Sequence, residues 1–377
     1  MNSTINQPLC SVIIISYNND SDLSDCLDAV YTQIYRNFEI ILVDNASTDR
    51  TAEIVAAYQE IYIAADEPQL TLVSLDENRG FAGGNNAGAA ASAGSILVFL
   101  NPDTIAKPDW LGELIKPLNS ALGPKLAGVP SNIKNPKATT GLTTSCILLA
   151  DSPQLINTCG NSITWTGLTF CRGLNKPQTE WGKGGTVAAV SGAAFAIPQS
   201  LYAELGGFDE SFFMYFEDTD LSMRAHLAGY TIEYVPTSQV YHRYIFKFSP
   251  QKIFYQERNR WFTMFKVLRM PTLVLLMPGF LIGELIAWCY AAINGKEHLI
   301  AKVNGWQWLW RNRAQVQQLR KKTQLARKST DRLLLRTWSA RINLSGTVPD
   351  SIVAPLEAAV ALPLTLYGRI CQQIIVW

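Results

Sequence analysis

Two pairs of polar residues in this sequence each follow an apolar run that is typical of a buried strand. Tyr17 and Asn18 come after the run VIIIS, and Asp44 and Asn45 close the segment EIILVDN. A carboxylate at a strand end can accept hydrogen bonds from a nucleobase or a ribose hydroxyl, and a tyrosine ring can stack on a base. The same residue types also form turns and helix caps, so a nucleotide site and a structural turn both stay open here.

A third segment reads NRGFAGGNN and is rich in glycine and asparagine. Arg79 in this segment can neutralise phosphate charge. Gly80, Gly83 and Asn85 tolerate positive φ, so backbone N–H groups can turn toward an anion ahead of a helix predicted over residues 85–94. The spacing matches neither GxGxxG nor GK[ST], which disfavours a nicotinamide or a P-loop site. A flexible loop is the alternative.

Asn101 and Asp103 come directly after the apolar run ILVFL. Asp103 offers a hard oxygen ligand suited to Mg²⁺ or Mn²⁺ bridging a diphosphate, whose remaining ligands would be phosphates and water. His242, one of three histidines, could supply a nitrogen ligand. An ordinary Asn-Pro-Asp turn and a buried structural histidine are the alternatives.

Glu217, Asp218 and Asp220 place three carboxylates within four residues. Because like charges repel, at least one of them needs a proton, a cation or a metal nearby. Asp218 in such a cluster could have a raised pKa and act as a general base. The alternative is the acidic first turn of a helix, where the helix dipole favours negative charge.

The elements that must position these groups alternate between strand and helix. Strands are predicted over residues 12–16, 39–44, 70–75 and 96–100, with helices over 20–33, 49–58 and 85–94. This alternation predicts an α/β fold with an open, mostly parallel sheet, whose ligand lies beyond the carboxyl ends of the strands. Residues 105–190 are less periodic, and we expect strands and loops that cover the sheet. A first domain is predicted over residues 1–249 and a second over 250–377.

Composition limits the class of protein. The 377 residues are 48% hydrophobic and 17% charged, with a formal net charge of +1, which disfavours a uniformly basic nucleic-acid binder. The seven cysteines form no CxxC pair, so reduced thiols in a cytosolic compartment are expected. The first ten residues lack a basic stretch followed by an apolar core, and we predict no signal peptide.

The C-terminal region differs in amino-acid composition from the rest of the chain. Residues 270–293 carry Glu284 as their only charge, and residues 353–377 are again mostly apolar. Between them, residues 311–341 hold ten cations and one acid, with three tryptophans just before. Such segments favour an anionic membrane surface, and the sequence leaves open whether the helices cross the bilayer or lie on it. A buried helical subdomain with a solvated basic face is the alternative, and nucleic-acid binding is disfavoured.

The order of these motifs resembles glycosyltransferase family 2, and within it the rhamnosyltransferase-like members. The resemblance extends over residues 8–260 and rests on VIIISYNN, ILVDNASTDRT, ENRGFAGGNNAG, LVFLNPDT, SGAAFAI, GGFDESFFMYFEDTDLSMRAHLAGY and VYHR, in that order. It implies a GT-A fold that is Rossmann-like, with helices on both faces of the sheet. The helical, membrane-associated C-terminal region is expected from its composition alone, since most of it lies beyond the resemblance. The resemblance also implies a nucleotide-diphosphate sugar donor and inversion at the anomeric carbon.

The resemblance assigns roles to the motif residues. Asp218 would be the catalytic base supported by Glu217, Asp103 and His242 would hold Mg²⁺ or Mn²⁺, and Ser191 and Gly192 would border the acceptor. The residues expected to bind the nucleotide sugar are Tyr17, Asn18, Asp44, Asn45, Arg79, Gly80, Gly83, Asn85 and Asn101. The form Asn101-Pro102-Asp103 departs from the Asp-x-Asp of many GT-A enzymes, and this puts the metal dependence in question.

The implied activity is transfer of a sugar to a hydroxyl of a saccharide or lipid-linked saccharide acceptor, during polysaccharide assembly at the cytoplasmic face of the membrane. Two other functions are compatible with the same sequence. A polyprenyl-phosphate glycosyltransferase would need no strong general base, because its acceptor is already an anion. A non-catalytic nucleotide- or glycan-binding protein could use the same fold.

Overall fold

The computed structural model of the protein describes residues 7–64, 68–122, 139–244, 249–343 and 350–377. The strands are β1 Cys10–Ser16, β2 Phe38–Asp44, β3 Leu70–Ser74, β4 Ile96–Leu100, β5 Thr104–Ala106, β6 Thr140–Leu149, β7 Ser152–Thr158, β8 Asn161–Ile163, β9 Thr169–Cys171, β10 Gly185–Thr186, β11 Ala194–Pro198 and β12 Thr231–His242. The helices are α1 Asp20–Tyr31, α2 Thr51–Ala64, α3 Gly80–Ala91, α4 Trp110–Leu122, α5 Gln199–Leu205, α6 Glu217–Leu227, α7 Pro250–Val267, α8 Met270–Asn294, α9 Lys296–Arg311, α10 Arg313–Leu325, α11 Asp331–Leu335 and α12 Asp350–Ile374.

One mixed sheet organises the N-terminal two thirds of the chain. Its strands lie in the order β10-β12-β6-β11-β4-β1-β2-β3, and the half from β4 to β3 is wholly parallel. Every residue of β1 is buried, as the β-branched run predicts for a strand covered on both faces. The predicted α/β fold with a mostly parallel central sheet is therefore confirmed. The other half contains antiparallel neighbours, because β11 runs against both β4 and β6.

Helix α3 begins five residues earlier than the sequence predicts, at Gly80 rather than Asn85. The reason is close packing on β1. A Cβ added at Gly84 would lie 2.0 Å from Cδ1 of Ile15, and one at Gly88 would lie 2.5 Å from Cγ2 of Ile13. These glycines let the helix approach the strand, so tertiary packing overrides their low helix propensity.

The prediction of strands and loops alone over residues 105–190 is wrong in one respect, because this region also contains helix α4. Trp110 at its start is fully buried, and its indole N–H donates to Oγ of Ser145 at 2.9 Å. The helix packs on β6 and β12, which come later in the chain. Its buried residues Trp110, Leu111, Leu114, Ile115 and Leu118 do recur at helical spacing, so the sequence carries a signal for this helix that the prediction did not use.

The helices after residue 249 share a core with the sheet domain. Phe212 and Met223 belong to the same buried apolar cluster as Trp261 and Phe262 of α7. Lys266, also on α7, forms ion pairs of 2.7 Å with both Asp209 and Asp220. Helix α7 therefore packs as part of the same unit as α6, across the domain boundary that the sequence suggests.

Candidate active site

The loops that follow β1 and β2 are tied to each other at the edge of the sheet. The backbone N–H of Asn18 donates to Oγ of Ser47 at 3.1 Å, and its side-chain oxygen accepts from the N–H of Thr48 at 2.8 Å. Oδ1 of Asp44 accepts from the N–H of Ser47 at 2.9 Å. Tyr17 is 46% exposed, so its ring is accessible for stacking. The two predicted nucleotide-binding loops thus lie together, and Asn18 acts in the structure as their connection.

Asn45 is buried and its amide holds the next loop in place. Its Nδ2 donates to Oδ1 of Asn78 at 2.9 Å and to the carbonyl of Gly80 at 3.2 Å, while its Oδ1 accepts from the N–H of Arg79 at 2.9 Å. Asn85 is also buried and donates to the carbonyl of Phe81 at 2.9 Å. Both asparagines therefore position the start of α3. Of the glycines in this segment, Gly80 alone has a positive φ, of 68°.

The guanidinium of Arg79 forms an ion pair of 2.8 Å with Glu210, a residue that the sequence did not single out. The other oxygen of Glu210 accepts from Nδ2 of Asn86 at 3.0 Å. The hydrogen bond from Asn86 and the ion pair with Arg79 lower the pKa of Glu210, against the effect of desolvation. Binding of a diphosphate by Arg79 would therefore compete with this exposed ion pair.

Gly83 lies one turn into α3, on the side of the helix that faces this ion pair. A Cβ at position 83 would lie 2.8 Å from Cβ of Arg79 and 3.6 Å from Oε2 of Glu210. The absence of a side chain at Gly83 thus leaves room for the side chain of Arg79.

Asp103 and His242 form the part of the site that fits a divalent cation. Nε2 of His242 lies 3.2 Å from Oδ1 of Asp103, and this buried oxygen accepts no hydrogen bond from the residues that the structure describes. Oδ1 of Asn157 lies 2.9 Å from Nδ1 of His242 and, being an acceptor, requires the proton on Nδ1. With Nδ1 engaged by Asn157, Nε2 of His242 and Oδ1 of Asp103 form an oxygen–nitrogen pair suited to Mn²⁺. Among the described residues no cluster of three or more such ligands occurs, so phosphate and water oxygens would complete the shell.

Asp218 is the second residue of helix α6 and accepts hydrogen bonds from three segments of the chain. Its Oδ2 accepts from the N–H of Gly192 at 3.0 Å and from Nδ2 of Asn161 at 3.1 Å, and its Oδ1 accepts from the N–H of Thr219 at 2.6 Å. Burial raises the pKa of Asp218, while the bonds from Gly192 and Thr219 act in the opposite direction. The structure thus brings Gly192, which follows Ser191, next to Asp218, and their role in binding the acceptor stays a prediction.

One short turn connects the environments of the two acids. Asn157 contacts His242 beside Asp103, and Asn161, four residues later, contacts Asp218. Four residues span at most about 14 Å, so a single short chain segment contacts both the Asp103–His242 pair and Asp218. The sequence analysis missed both asparagines, because they fall in the region without a clear period.

A second connection runs through the segment after Ser191. The N–H of Asn101 donates to the carbonyl of Ala193 at 2.9 Å, and Gly192 directly before it contacts Asp218. Asn101 and Asp103 are therefore linked to Asp218 by the backbone as well. Both connections link the segment after β4, which contains Asp103, to the start of α6.

The segment that leads into Glu217 is strained. Phe213, Tyr215 and Phe216 have φ values of 63°, 65° and 74°, a region that bulky residues rarely adopt. The amide of Asn259 on α7 holds this segment. It is fully buried and its Nδ2 donates to the carbonyls of Phe212, Met214 and Tyr215 at 3.1, 2.9 and 2.6 Å. An asparagine in the middle of an amphipathic helix is the only sequence signal for this role.

Glu217 is buried next to Asp218, and its Oε2 has no hydrogen-bond partner among the residues that the structure describes. Burial, followed by the charge of Asp218, raises the pKa of Glu217 well above its ordinary value. Two adjacent carboxyl groups with raised pKa values are typical of a site that handles protons.

Comparison with known proteins agrees with this geometry. The model of Glycosyl transferase family 2 matches residues 11–125, and that of Glycosyl transferase family group 2 matches residues 157–320. The chain is 28% identical over 226 residues to the poly-beta-1,6-N-acetyl-D-glucosamine synthase of Staphylococcus aureus (strain COL), covering 59% of this chain and 47% of that protein. It is 35% identical over 130 residues to the glycosyltransferase AglE of Haloferax volcanii, covering 34% and 40%.

A solved structure shares the fold. The crystal structure of GalNAc-T7 with UDP, GalNAc and Mn²⁺ superimposes with a TM-score of 0.54 at 19% identity, covering 69% of this chain and 48% of that one. The chain thus spans about half or less of the length of the relatives described here.

Proposed function

We propose that the chain is an inverting glycosyltransferase of family 2 with a GT-A fold. It transfers a sugar from a nucleoside-diphosphate donor to a hydroxyl of a saccharide or lipid-linked saccharide. The observation that carries this proposal is the hydrogen-bonded setting of Asp218, which one short turn connects to the Asp103–His242 pair. This arrangement offers a base at one end of a substrate and a charge-neutralising site at the other.

The reaction is a single displacement. Asp218 removes the proton of the acceptor hydroxyl as the oxygen forms a bond to the anomeric carbon. The bond from that carbon to the diphosphate breaks on the opposite face, and its electron pair leaves with the diphosphate. The backbone N–H of Gly192 fixes Oδ2 of Asp218 during this step, and the buried Glu217 lies directly behind it.

Binding of the donor uses the other strand ends. In this proposal Tyr17 and Asp44 take the base and the ribose, and Asn18, Asn45, Asn85 and Asn101 hold the surrounding loops through the hydrogen bonds described above. Asp103 and His242 would hold the divalent cation. Such a cation supplies neutralisation of the negative charge that develops on the leaving diphosphate. Arg79 and the N-terminus of α3 can contribute to the same task, once Arg79 leaves Glu210.

Support for a role in cell-surface polysaccharide assembly comes from the name of the staphylococcal relative. That name would suggest an N-acetylhexosamine donor, whereas the motif resemblance suggests rhamnose. The assay described next distinguishes these two sugars. Action at the cytoplasmic face of a membrane stays a prediction, which the apolar C-terminal helix fits.

The test is release of nucleoside diphosphate by the full chain. UDP-N-acetylglucosamine, dTDP-rhamnose and GDP-mannose are each supplied with Mn²⁺ or Mg²⁺, with and without an oligosaccharide acceptor. We expect one donor to be turned over, faster with acceptor and with cation than with chelator. Binding without turnover of any donor would favour the non-catalytic alternative. Transfer to polyprenyl phosphate that survives Asp218→Asn would favour the polyprenyl-phosphate alternative.

A further inference from the structure

The outward face of helix α8 is entirely apolar. In the described chain, α8 (Met270–Asn294) is the one helix long and apolar enough to cross a membrane. Its exposed residues before Asn294 recur every three or four positions: Met270, Pro271, Val274, Pro278, Leu281, Ile282, Leu285, Cys289, Ala292 and Ile293. A surface helix of a soluble protein would place polar side chains on this face. We refer to these residues as the apolar face.

The opposite face of α8 is docked on the sheet domain. A Cβ added at Gly279 would lie 2.3 Å from the carbonyl oxygen of Trp165, and one at Gly283 would lie 2.4 Å from that of Thr166. These two glycines, one turn apart, therefore bring the helix backbone against the β8–β9 turn. Such close approach holds α8 along the surface of the domain.

A buried ionic cluster adds to this attachment. Glu284, near the middle of α8, forms an ion pair with Arg260 of α7 and one of 2.8 Å with Lys302 of α9. Lys302 also pairs with Glu257 at 2.6 Å. Burial opposes ionisation of Glu284, but the charges of Arg260 and Lys302 outweigh it and lower its pKa to about 2. If α8 crossed a bilayer, Glu284 would lie about 21 Å along it, so this charged cluster would sit in hydrocarbon.

Two neighbouring helices continue the apolar face. Helix α12 packs beside α8, with the hydroxyl of Tyr367 donating to the carbonyl of Leu275 at 2.8 Å. Its outward residues are also largely apolar and include Leu362, Leu366, Ile370 and Ile374. Helix α9 exposes Ile300, Val303 and Trp310. Most of the large exposed apolar side chains of the described chain thus belong to these three helices.

Cations border this surface. Met270 of α8 and Trp310 of α9 line a largely apolar cavity of about 500 Å³, which Arg313 and Arg320 also line. Arg320 is engaged with backbone carbonyls, while Arg313 is exposed and lies over the Trp310 ring at 5.1 Å. Arg311, at the end of α9, is a second exposed cation. Tryptophan and arginine beside an apolar surface match the headgroup level of an anionic bilayer.

We propose that the faces of α8, α9 and α12 form a docking surface for an anionic bilayer, with α8 lying in the plane of one leaflet instead of crossing it. The apolar face enters the acyl-chain boundary, and the exposed cations meet the lipid phosphates. This attachment does not depend on which sugar the enzyme transfers, so it can fail or hold independently of the proposed function.

The first test is sedimentation of the full chain with vesicles of phosphatidylcholine, with and without phosphatidylglycerol. Leu281→Ser combined with Leu285→Ser should weaken binding to both vesicle types roughly tenfold or more, because each leucine loses its transfer into lipid. Ile34→Ser combined with Ile61→Ser removes two equally exposed side chains elsewhere, at 73% and 60% exposure, and should leave binding unchanged. Arg311→Gln combined with Arg313→Gln should weaken binding only to the anionic vesicles.

Two results of this test would overturn the proposal. One is equal loss of vesicle binding in the leucine and the isoleucine variants. The other is a dimer of the free protein that the leucine variant dissociates, without any binding to vesicles, which would make this surface an interface between copies of the chain. Thermal unfolding of each variant confirms that it is folded.

The second test separates an in-plane helix from a crossing one. All seven cysteines lie in the described chain, and Cys289 on the apolar face is the exposed one. A fluorophore is placed at Cys289, or at position 274 in a Val274→Cys, Cys289→Ser variant, about 22 Å away along the helix. Quenching by lipids brominated at different depths should report similar shallow depths for both positions. Depths that differ by most of this distance would show a crossing helix and contradict the proposal.

Discussion

Asn161 donates a hydrogen bond of 3.1 Å from Nδ2 to Oδ2 of Asp218. Through this contact, the turn between β7 and β8 fixes the proposed base relative to the proposed metal ligands, because Asn157 at the other end of the turn holds His242. One short backbone segment thus links the proposed base to the proposed metal ligands. Such preorganisation is what a displacement reaction requires.

Asp218→Asn should abolish transfer while leaving donor binding close to normal. The amide keeps the size of the carboxyl group but cannot accept the acceptor proton, and a general base contributes roughly 10²- to 10⁴-fold to the rate. Turnover and donor affinity are measured separately, by product formation and by calorimetry. Asp28→Asn, at an exposed position on α1, is the control and should retain full activity. Normal turnover in Asp218→Asn would exclude this residue as the base.

Activity should also decrease as the pH is lowered, with a midpoint above the ordinary aspartate range. The base works only when ionised, and burial raises the pKa of Asp218. The acidic limb of kcat/KM for the free enzyme reports this group. A midpoint at or below the ordinary aspartate value would contradict the assignment.

Asp103→Asn should make donor affinity independent of divalent cation. In the unmodified protein, calorimetry with Mn²⁺ and then with chelator should show weaker donor binding after chelation, because the carboxylate of Asp103 would hold the cation beside His242. Asn157→Ala removes the group that orients this imidazole and should weaken Mn²⁺ binding roughly 10- to 100-fold. Donor affinity of the unmodified protein that is equal with Mn²⁺ and with chelator would refute the cation site.

Asn259→Ala should lower kcat more than it raises the KM for donor. The side chain touches no substrate in the proposed reaction, but it holds three carbonyls of the strained segment before Glu217. Leaving them unpaired costs about 1–3 kcal/mol, and the base shifts when the segment relaxes. Hydrogen exchange over residues 211–218 should increase at the same time.

Thr263→Ala is the matched control for Asn259→Ala. Thr263 is fully buried one turn further along α7, and its hydroxyl has no hydrogen-bond partner among the described residues. If both variants lose kcat equally and show the same hydrogen exchange, Asn259 contributes only to packing.

Glu217→Gln should stabilise the protein at pH 8. Because burial raises the folded-state pKa of Glu217, folding favours its protonated form, and this contribution to stability is lost as the pH rises through that raised value. Glutamine is neutral at every pH, so we expect a melting temperature a few degrees higher at pH 8 and a smaller difference at lower pH. Glu53→Gln on the exposed face of α2 should show no such trend. A lower melting temperature for Glu217→Gln at pH 8 would contradict the burial argument.

Local patterns in the sequence were sufficient for the parallel half of the sheet and for the groups at its edge. The apolar runs that end at Ser16, Asp44 and Leu100 become β1, β2 and β4, since β-branched segments between helices can only be buried in the middle of such a sheet. Parallel strands place their carboxyl ends along one edge, so Asp44 and Asp103 could be assigned there without coordinates. The cluster of Glu217 and Asp218 was equally visible, because adjacent carboxylates are chemically unusual.

Contacts between residues distant in sequence decided the rest. The start of α3 at Gly80 depends on how closely a helix can approach Ile15, and local propensity contains no information about that distance. The pairing of Arg79 with Glu210 and the support of Asp218 by Asn161 join segments that are 131 and 57 positions apart. The outward face of α8 likewise became apparent only when the docked glycine face was known, because a helix apolar on all sides shows no preferred side in its sequence.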